Sequence, residues 1–181
     1  GSMYSLTANI IPRIIMGTKI RRPDLDIDLY LGSNEDLMQR LSEGSIDAVV
    51  IAVPTGKLAE GLQVVPLFED DLFLASSKKN KPAHAQADLS QYRDEKFLTL
   101  QDGFATTSGF YEAFRLAGFK PNVVMKVGDI FSLMNMVSGD LGRSLLPGRV
   151  KALMGNAIEF TPLLPKYRVI QHIGLLYLQA N

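Results

Sequence analysis

The chain has 181 residues, of which 46% are hydrophobic and 21% charged, and its 19 Lys+Arg are balanced by 19 Asp+Glu. That is an ordinary globular balance, and the neutral total argues against a chain that itself grips a phosphate backbone, since such domains are usually basic. There is no cysteine, which excludes disulfides, zinc–thiolate sites, iron–sulfur clusters and thiol catalysis.

Gly1-Ser2-Met3 reads as an expression scar, and no signal-peptide pattern or membrane-length apolar run is visible. Beyond Tyr4, the residues Ile10, Ile11, Ile14 and Ile15 recur at helical spacing. Ser5 or Thr7 is expected to cap this helix, Pro12 places its regular part from about Asn9, and Pro23 ends it. "DIDLYLG" (26–32) alternates Ile27, Leu29 and Leu31, which predicts a strand. "SNEDLMQRLSEG" then predicts a helix capped by Ser33 and stopped by Gly44. "IDAVVIAV" (46–53) is a continuous apolar run, as expected of a strand covered on both faces. Together these make a βαβ unit with a right-handed crossover.

"LQVVPLFEDDLFLASS" (62–77) predicts two short strands around Glu69-Asp70-Asp71, and a polar loop follows. "DLSQY" predicts a short helix and "KFLTL" a strand. "TTSGFYEAFRLAGF" predicts a helix capped by Thr106 or Thr107 and closed by Gly118. "NVVMKV" reads as a strand; "VGDIFSLMNMVSGDLGRSLLPGRV" (127–150) then gives a helix capped by Asp129, a glycine stop and a short strand. "IEFTPL" and "VIQHIGLLYLQA" are closing strands. The order predicts an α/β protein of two lobes, separated by the loop near residues 78–87. In such sheets ligands bind beyond the strand carboxyl ends, at helix N-termini.

Several residues invite a chemical reading that the pattern does not sustain. Adjacent strand residues point to opposite faces, so Glu69, Asp70 and Asp71 cannot converge and are expected in a solvated turn or hinge. His84 and His172 have no partners at metal spacing, and no metal or cofactor is expected. Ser108 and Ser144 lack a partnered histidine, and Gly139, Asp140 and Gly142 are not followed by the Lys-Ser/Thr of a phosphate loop. "KKNK" (78–81) reads as a solvated loop, and Leu133, Met134 and Met136 as core. No acid, base or nucleophile constellation emerges, so an enzyme is not expected.

Three stretches carry a resemblance to a known family. They are "SLTANIIPRII…RRPDLDIDLYLGSNEDLMQRLSEGSIDAVVIAV", "LQVVPLFEDDLFLASSKKNKPAH" and the 127–150 unit. In order and spacing they resemble the effector-binding domain of LysR-type transcriptional regulators, over most of the chain. "DIFSLMNMV" and "LLPGR" are most similar to the malonate-utilisation regulators within that family. Asp140 stands where the family has glycine and Arg143 where it has an apolar residue. Asp tolerates a left-handed turn; Arg143 is expected at a sheet edge or reaching a partner.

The resemblance implies a type-2 periplasmic-binding-protein-like fold of two Rossmann-like lobes, residues 4–73 with 170–181 returning to them and residues 74–169. It implies too that the family's first strand, last helix and amino-terminal winged helix-turn-helix are lacking here. DNA would be bound only through that missing domain. The resemblance also implies a small organic acid, malonate or a similar carboxylate, held between the lobes. Its expected contacts are Ser5, Leu6, Thr7, Ser33, Asn34, Val53 and Thr55 from the first lobe. Phe104, Thr106, Thr107 and the backbone at Gly128 are expected from the second. Hydroxyls and N–H groups at helix starts suit an anion without any arginine, although such residues serve as readily as plain caps. Asp129 is expected to be a cap only, because its charge repels a carboxylate. "IIPRIIMGTKI" is apolar over a wide arc, which fits either deep burial or a partner face; the resemblance implies the partner, in a homodimer or homotetramer paired through the lobes. The implied location is the cytoplasm; the competing reading is a periplasmic-type solute-binding protein for a small anion.

Overall fold

The structure, a computed structural model, describes residues 1–179. Its backbone divides into two compact units: Gly1–Phe68 with the chain from His172 onward, and Glu69–Gln171.

In the first unit, α1 (Ile10–Arg21) begins where Pro12 requires, with Asn9 in the cap position. Neither Ser5 nor Thr7 caps it, contrary to expectation. A 3-10 turn (Tyr4–Leu6) intervenes, and the Thr7 hydroxyl donates to the Tyr4 carbonyl at 2.7 Å. The helix stops because Pro23 forces Arg22 out of helical geometry, to φ −135 and ψ 76. The strand expected over 26–32 does not form. Only Leu31 makes a bridge, and Ile27 and Leu29 stay 37% and 45% exposed. The alternation there marks an apolar side left open rather than a buried sheet face.

α2 (Asn34–Ser42) matches its sequence signals: Ser33 accepts the Asp36 N–H at 3.1 Å, and Gly44 ends the turn at φ 76. β1 (Val49–Ala52) is buried throughout and shorter than the expected 46–53 run. It pairs antiparallel with β7 (Ile170–Leu178), which lies beside β2 (Leu62–Ser77). On its other edge sits fully buried Ser2, in parallel bridges to both Leu31 and Val50. Ser2, read as part of a scar, therefore holds a strand position.

β2 runs unbroken through Glu69-Asp70-Asp71, so the two expected strands and their turn are one element. No glycine, proline or asparagine interrupts residues 67–77 to force a turn. Of the acids only Asp70 is withdrawn from solvent, paired with Arg149; Asp71 pairs with Arg168 at the exposed surface, and Glu69 is exposed. In the second unit β2 pairs antiparallel with β5 (Ser144–Pro147) and with β6 (Ile158–Pro162). β3 (Lys96–Leu100) pairs in parallel with β4 (Asn122–Val127) and meets the β5 side at a bridge from Phe97 to Arg143.

The "DLSQY" segment is only a 3-10 turn (Leu89–Tyr92). α3 (Ala105–Ala117) closes on left-handed Gly118, and α4 (Ile130–Ser138) is capped by Asp129. Phe97, Phe110 and Phe114 form the centre of this unit's core, with ring centroids 4.9 to 5.9 Å apart. Gly109 lets α3 lie against β2, since a Cβ there would meet Leu72 Cδ1 at 2.7 Å. Asp140 takes the left-handed turn at φ 65, and its carboxylate accepts from Ser77 and Asn80. Arg143 reaches partners within its own unit, donating to the Ser76 hydroxyl and the Asn80 carbonyl.

Candidate effector site

A helix start attracts an anion only if its first N–H groups and its dipole are not already answered by a cap or an acid. The four helices divide on this test. α2 is capped by Ser33 and carries Glu35 and Asp36 in its first turn. α4 is capped by Asp129, whose carboxyl is held below its ordinary value mainly by the Ser132 hydroxyl, and by the Ser132 N–H. α1 and α3 have neither a side-chain cap nor a first-turn acid.

In the first unit, Ser5 and Leu6 are buried in the turn before α1, and the Thr7 proton is committed to Tyr4. Asn34 Nδ2 donates to the Ala52 carbonyl at 2.8 Å, tying the start of α2 to the end of β1 beside half-buried Val53. A carbonyl only accepts, so the amide cannot be turned round. Asn34 Oδ1 is thereby left buried without a hydrogen-bond partner among the described residues, an acceptor that a ligand donor would satisfy. The Val53 N–H is tied to the His172 carbonyl at 2.7 Å, and Thr55 lies exposed beyond the strand.

In the second unit, the cap position of α3 is Phe104, not Thr106 or Thr107. The two threonines lie inside the first turn, where a hydroxyl cannot reach forward as a cap. Thr107 instead donates to the Leu100 and Gln101 carbonyls, at 3.0 and 2.8 Å, and pins the helix to the end of β3. The Gln101 N–H in turn bonds the Val127 carbonyl, and its side chain passes beside exposed Gly128. Phe104, Thr106, Thr107 and Gly128 thus belong to one edge of this unit.

Behind Thr106 lie residues that sequence reasoning missed. Thr106 is 5% exposed, and its oxygen accepts from Gln171 Nε2 at 3.3 Å. Gln171 Oε1 accepts from Arg149 at 2.7 Å, and Arg149 pairs with Asp70 at 3.1 Å. The Arg149 and Asp70 side chains are only 10% and 13% exposed. Burial lowers the Arg149 pKa, and the Asp70 carboxylate acts in the opposite sense. The sequence reading required no arginine to hold an anion; a largely covered guanidinium stands one side chain behind Thr106. The "LLPGR" motif contained that signal, but nothing in the sequence pairs residue 149 with residue 70. Among the described residues no group of His, Asp and Glu has metal-binding geometry, and no helix is long and apolar enough to cross a membrane.

A family model for the LysR substrate binding domain matches residues 1–181. The chain is 45% identical over 179 residues to the malonate utilization transcriptional regulator of Klebsiella pneumoniae, covering 98% of this chain and 58% of that protein. It is 27% identical over 139 residues to the hydrogen peroxide-inducible genes activator of Haemophilus influenzae, covering 76% of this chain and 46% of that one. The chain therefore spans about half the length of these curated relatives, which are named as regulators and not as enzymes. Among solved structures, the effector binding domain of QuiR in complex with shikimate superposes with a TM-score of 0.85 at 17% identity, covering 100% of this chain and 86% of that chain. The Synechocystis PCC6803 CcmR regulatory domain in complex with 2-PG gives 0.86 at 15% identity, covering 99% and 86%. The chain belongs to the LysR substrate-binding-domain family and has its type-2 periplasmic-binding-protein-like fold.

Proposed function

We propose that this domain senses a small organic acid, with malonate the first candidate, and that binding alters how an attached DNA-binding domain acts on transcription. The observation that carries the reading is the start of α3: uncapped, free of first-turn acid, and lined by Thr106. The 45% identity to a malonate utilization regulator supports malonate over other anions. Phe104 and Thr106, at the start of α3, are the proposed contacts. Signalling requires that the acid bind one arrangement of the protein better than another.

The proposed setting is a cytoplasmic homodimer or homotetramer. Met16 and Ile20 on α1 are 65% and 75% exposed, and Leu25, Ile27 and Leu29 continue an open apolar stretch. A surface of this kind suits association between copies.

A thermal-shift series with malonate, succinate, acetate and neutral malonamide tests the reading. Malonate at about 100 times its Kd should stabilise the fold by about 2.7 kcal/mol, and malonamide should do nothing. No shift with any acid at saturating concentration would refute it.

A further inference from the structure

An arginine side chain can only donate, and this fixes a direction along four side chains of the second unit. Asp70 Oδ2 accepts from Arg149 Nη1 at 3.1 Å and from the Arg149 backbone N–H at 3.0 Å. The same Nη1 donates to Gln171 Oε1 at 2.7 Å. Gln171 must therefore turn its oxygen to the arginine and its amide nitrogen to Thr106, 3.3 Å away. That nitrogen only donates, so the Thr106 oxygen is the acceptor, and the Thr106 proton is left to serve another group. No acceptor for it is found among the described residues. Thr107 next door differs, its proton being held by two backbone carbonyls. Direction along this row is thus set by the buried Asp70–Arg149 pair, not by the threonine.

We propose that Arg149 is a positioning residue for ligand selection: through Gln171 it sets Thr106 as a hydroxyl donor at the start of α3. The second unit then favours a ligand group that only accepts, such as a carboxylate oxygen, and disfavours an amide nitrogen or ammonium at the same point. This rests on the reading that a small carboxylate binds at that helix start. The order of bonds costs the ligand nothing, because it is established before the ligand arrives.

Gln171→Glu reverses the row with almost no change in size. A carboxylate at 171 accepts both from Arg149 and from the Thr106 hydroxyl, whose proton then points inward. Calorimetric titration with malonate compares the unmodified protein, Q171E, T106V, T106S and the Q171E/T106V double variant, with circular dichroism and melting curves to confirm folding. Q171E and T106V should each weaken binding about tenfold or more, as expected for a lost bond to a charged group. T106S should bind like the unmodified protein, and the double variant no worse than T106V. A merely structural role for residue 171 would add its loss to that of T106V, and additivity overturns the proposal. Unchanged affinity of Q171E beside a weakened T106V also overturns it, while leaving the carboxylate site at α3 standing. Malonate that fails to bind the unmodified protein, or that binds T106V as well, overturns both. Should Q171E not fold, Q171L removes the same donated bond without a second carboxylate near Asp70. A few-fold loss with Q171L is expected, and none would overturn the proposal.

Discussion

Removing the Asp70 carboxylate isolates the energetics of the buried row behind α3. In the Asp70→Ala variant the Arg149 side chain, 10% exposed, would keep its charge without its ion-pair partner at 3.1 Å. The Arg149 backbone N–H would lose its acceptor at 3.0 Å as well. Breaking one partner of a buried pair costs about 3–5 kcal/mol, far more than the intact pair contributes in net terms. At about 2–4 °C per kcal/mol for a domain of this size, the melting temperature should fall by about 6–20 °C. The next residue is a built-in control. Asp71 pairs with Arg168 at 2.6 Å, but the two side chains are 37% and 57% exposed. Asp71→Ala should therefore cost no more than about 1 kcal/mol. Far-UV circular dichroism is the suitable probe, since the chain has no tryptophan. A fall for Asp70→Ala as small as that for Asp71→Ala would refute the claim that the pair is buried and coupled.

Asp129→Ala removes the α4 cap and should cost about 1 kcal/mol at neutral pH. The folded pKa of Asp129 lies below its ordinary 3.8, so its stabilisation is fully present above that value and is lost as pH falls through the folded one. The stability difference between the two proteins should shrink below about pH 4 in urea titrations; a difference constant into strong acid would contradict the assignment. Ser33→Ala should lower stability by about 1 kcal/mol through the lost α2 cap, read from urea midpoints, and no change would remove the cap. Gly109→Ala should destabilise by about 1–3 kcal/mol, because the new methyl meets Leu72 Cδ1 at 2.7 Å in a packed core. A neutral result would show that α3 can lift from β2.

Helices and their stops were legible because their signals are local. Ser33, Gly44, Pro12, Gly118 and Asp129 act within one turn of chain. Strand limits were less legible, because pairing depends on residues far away. Ile27 and Leu29 alternate like a buried strand yet stay exposed, while Glu69-Asp70-Asp71 looks like a turn yet continues one. Hidden in the second case were the partners Arg149 and Arg168, which lie 79 and 97 residues along the chain from Asp70 and Asp71. The same distance hid the row from Asp70 to Thr106. Ser33, Asn34, Thr106 and Thr107 stand at helix starts, but which starts are chemically free required the caps themselves. Thr7 and Thr107 show the difference: both are hydroxyls at a helix start, and both spend their proton on backbone carbonyls.

A titration of malonate into the isotopically labelled protein, followed by amide chemical shifts, tests the central claim most directly. The account expects saturable shifts largest at the Ala105, Thr106 and Thr107 amides, with Ser132 at the Asp129-capped start of α4 little changed. Shifts centred on α4, or no saturable change anywhere, would contradict it.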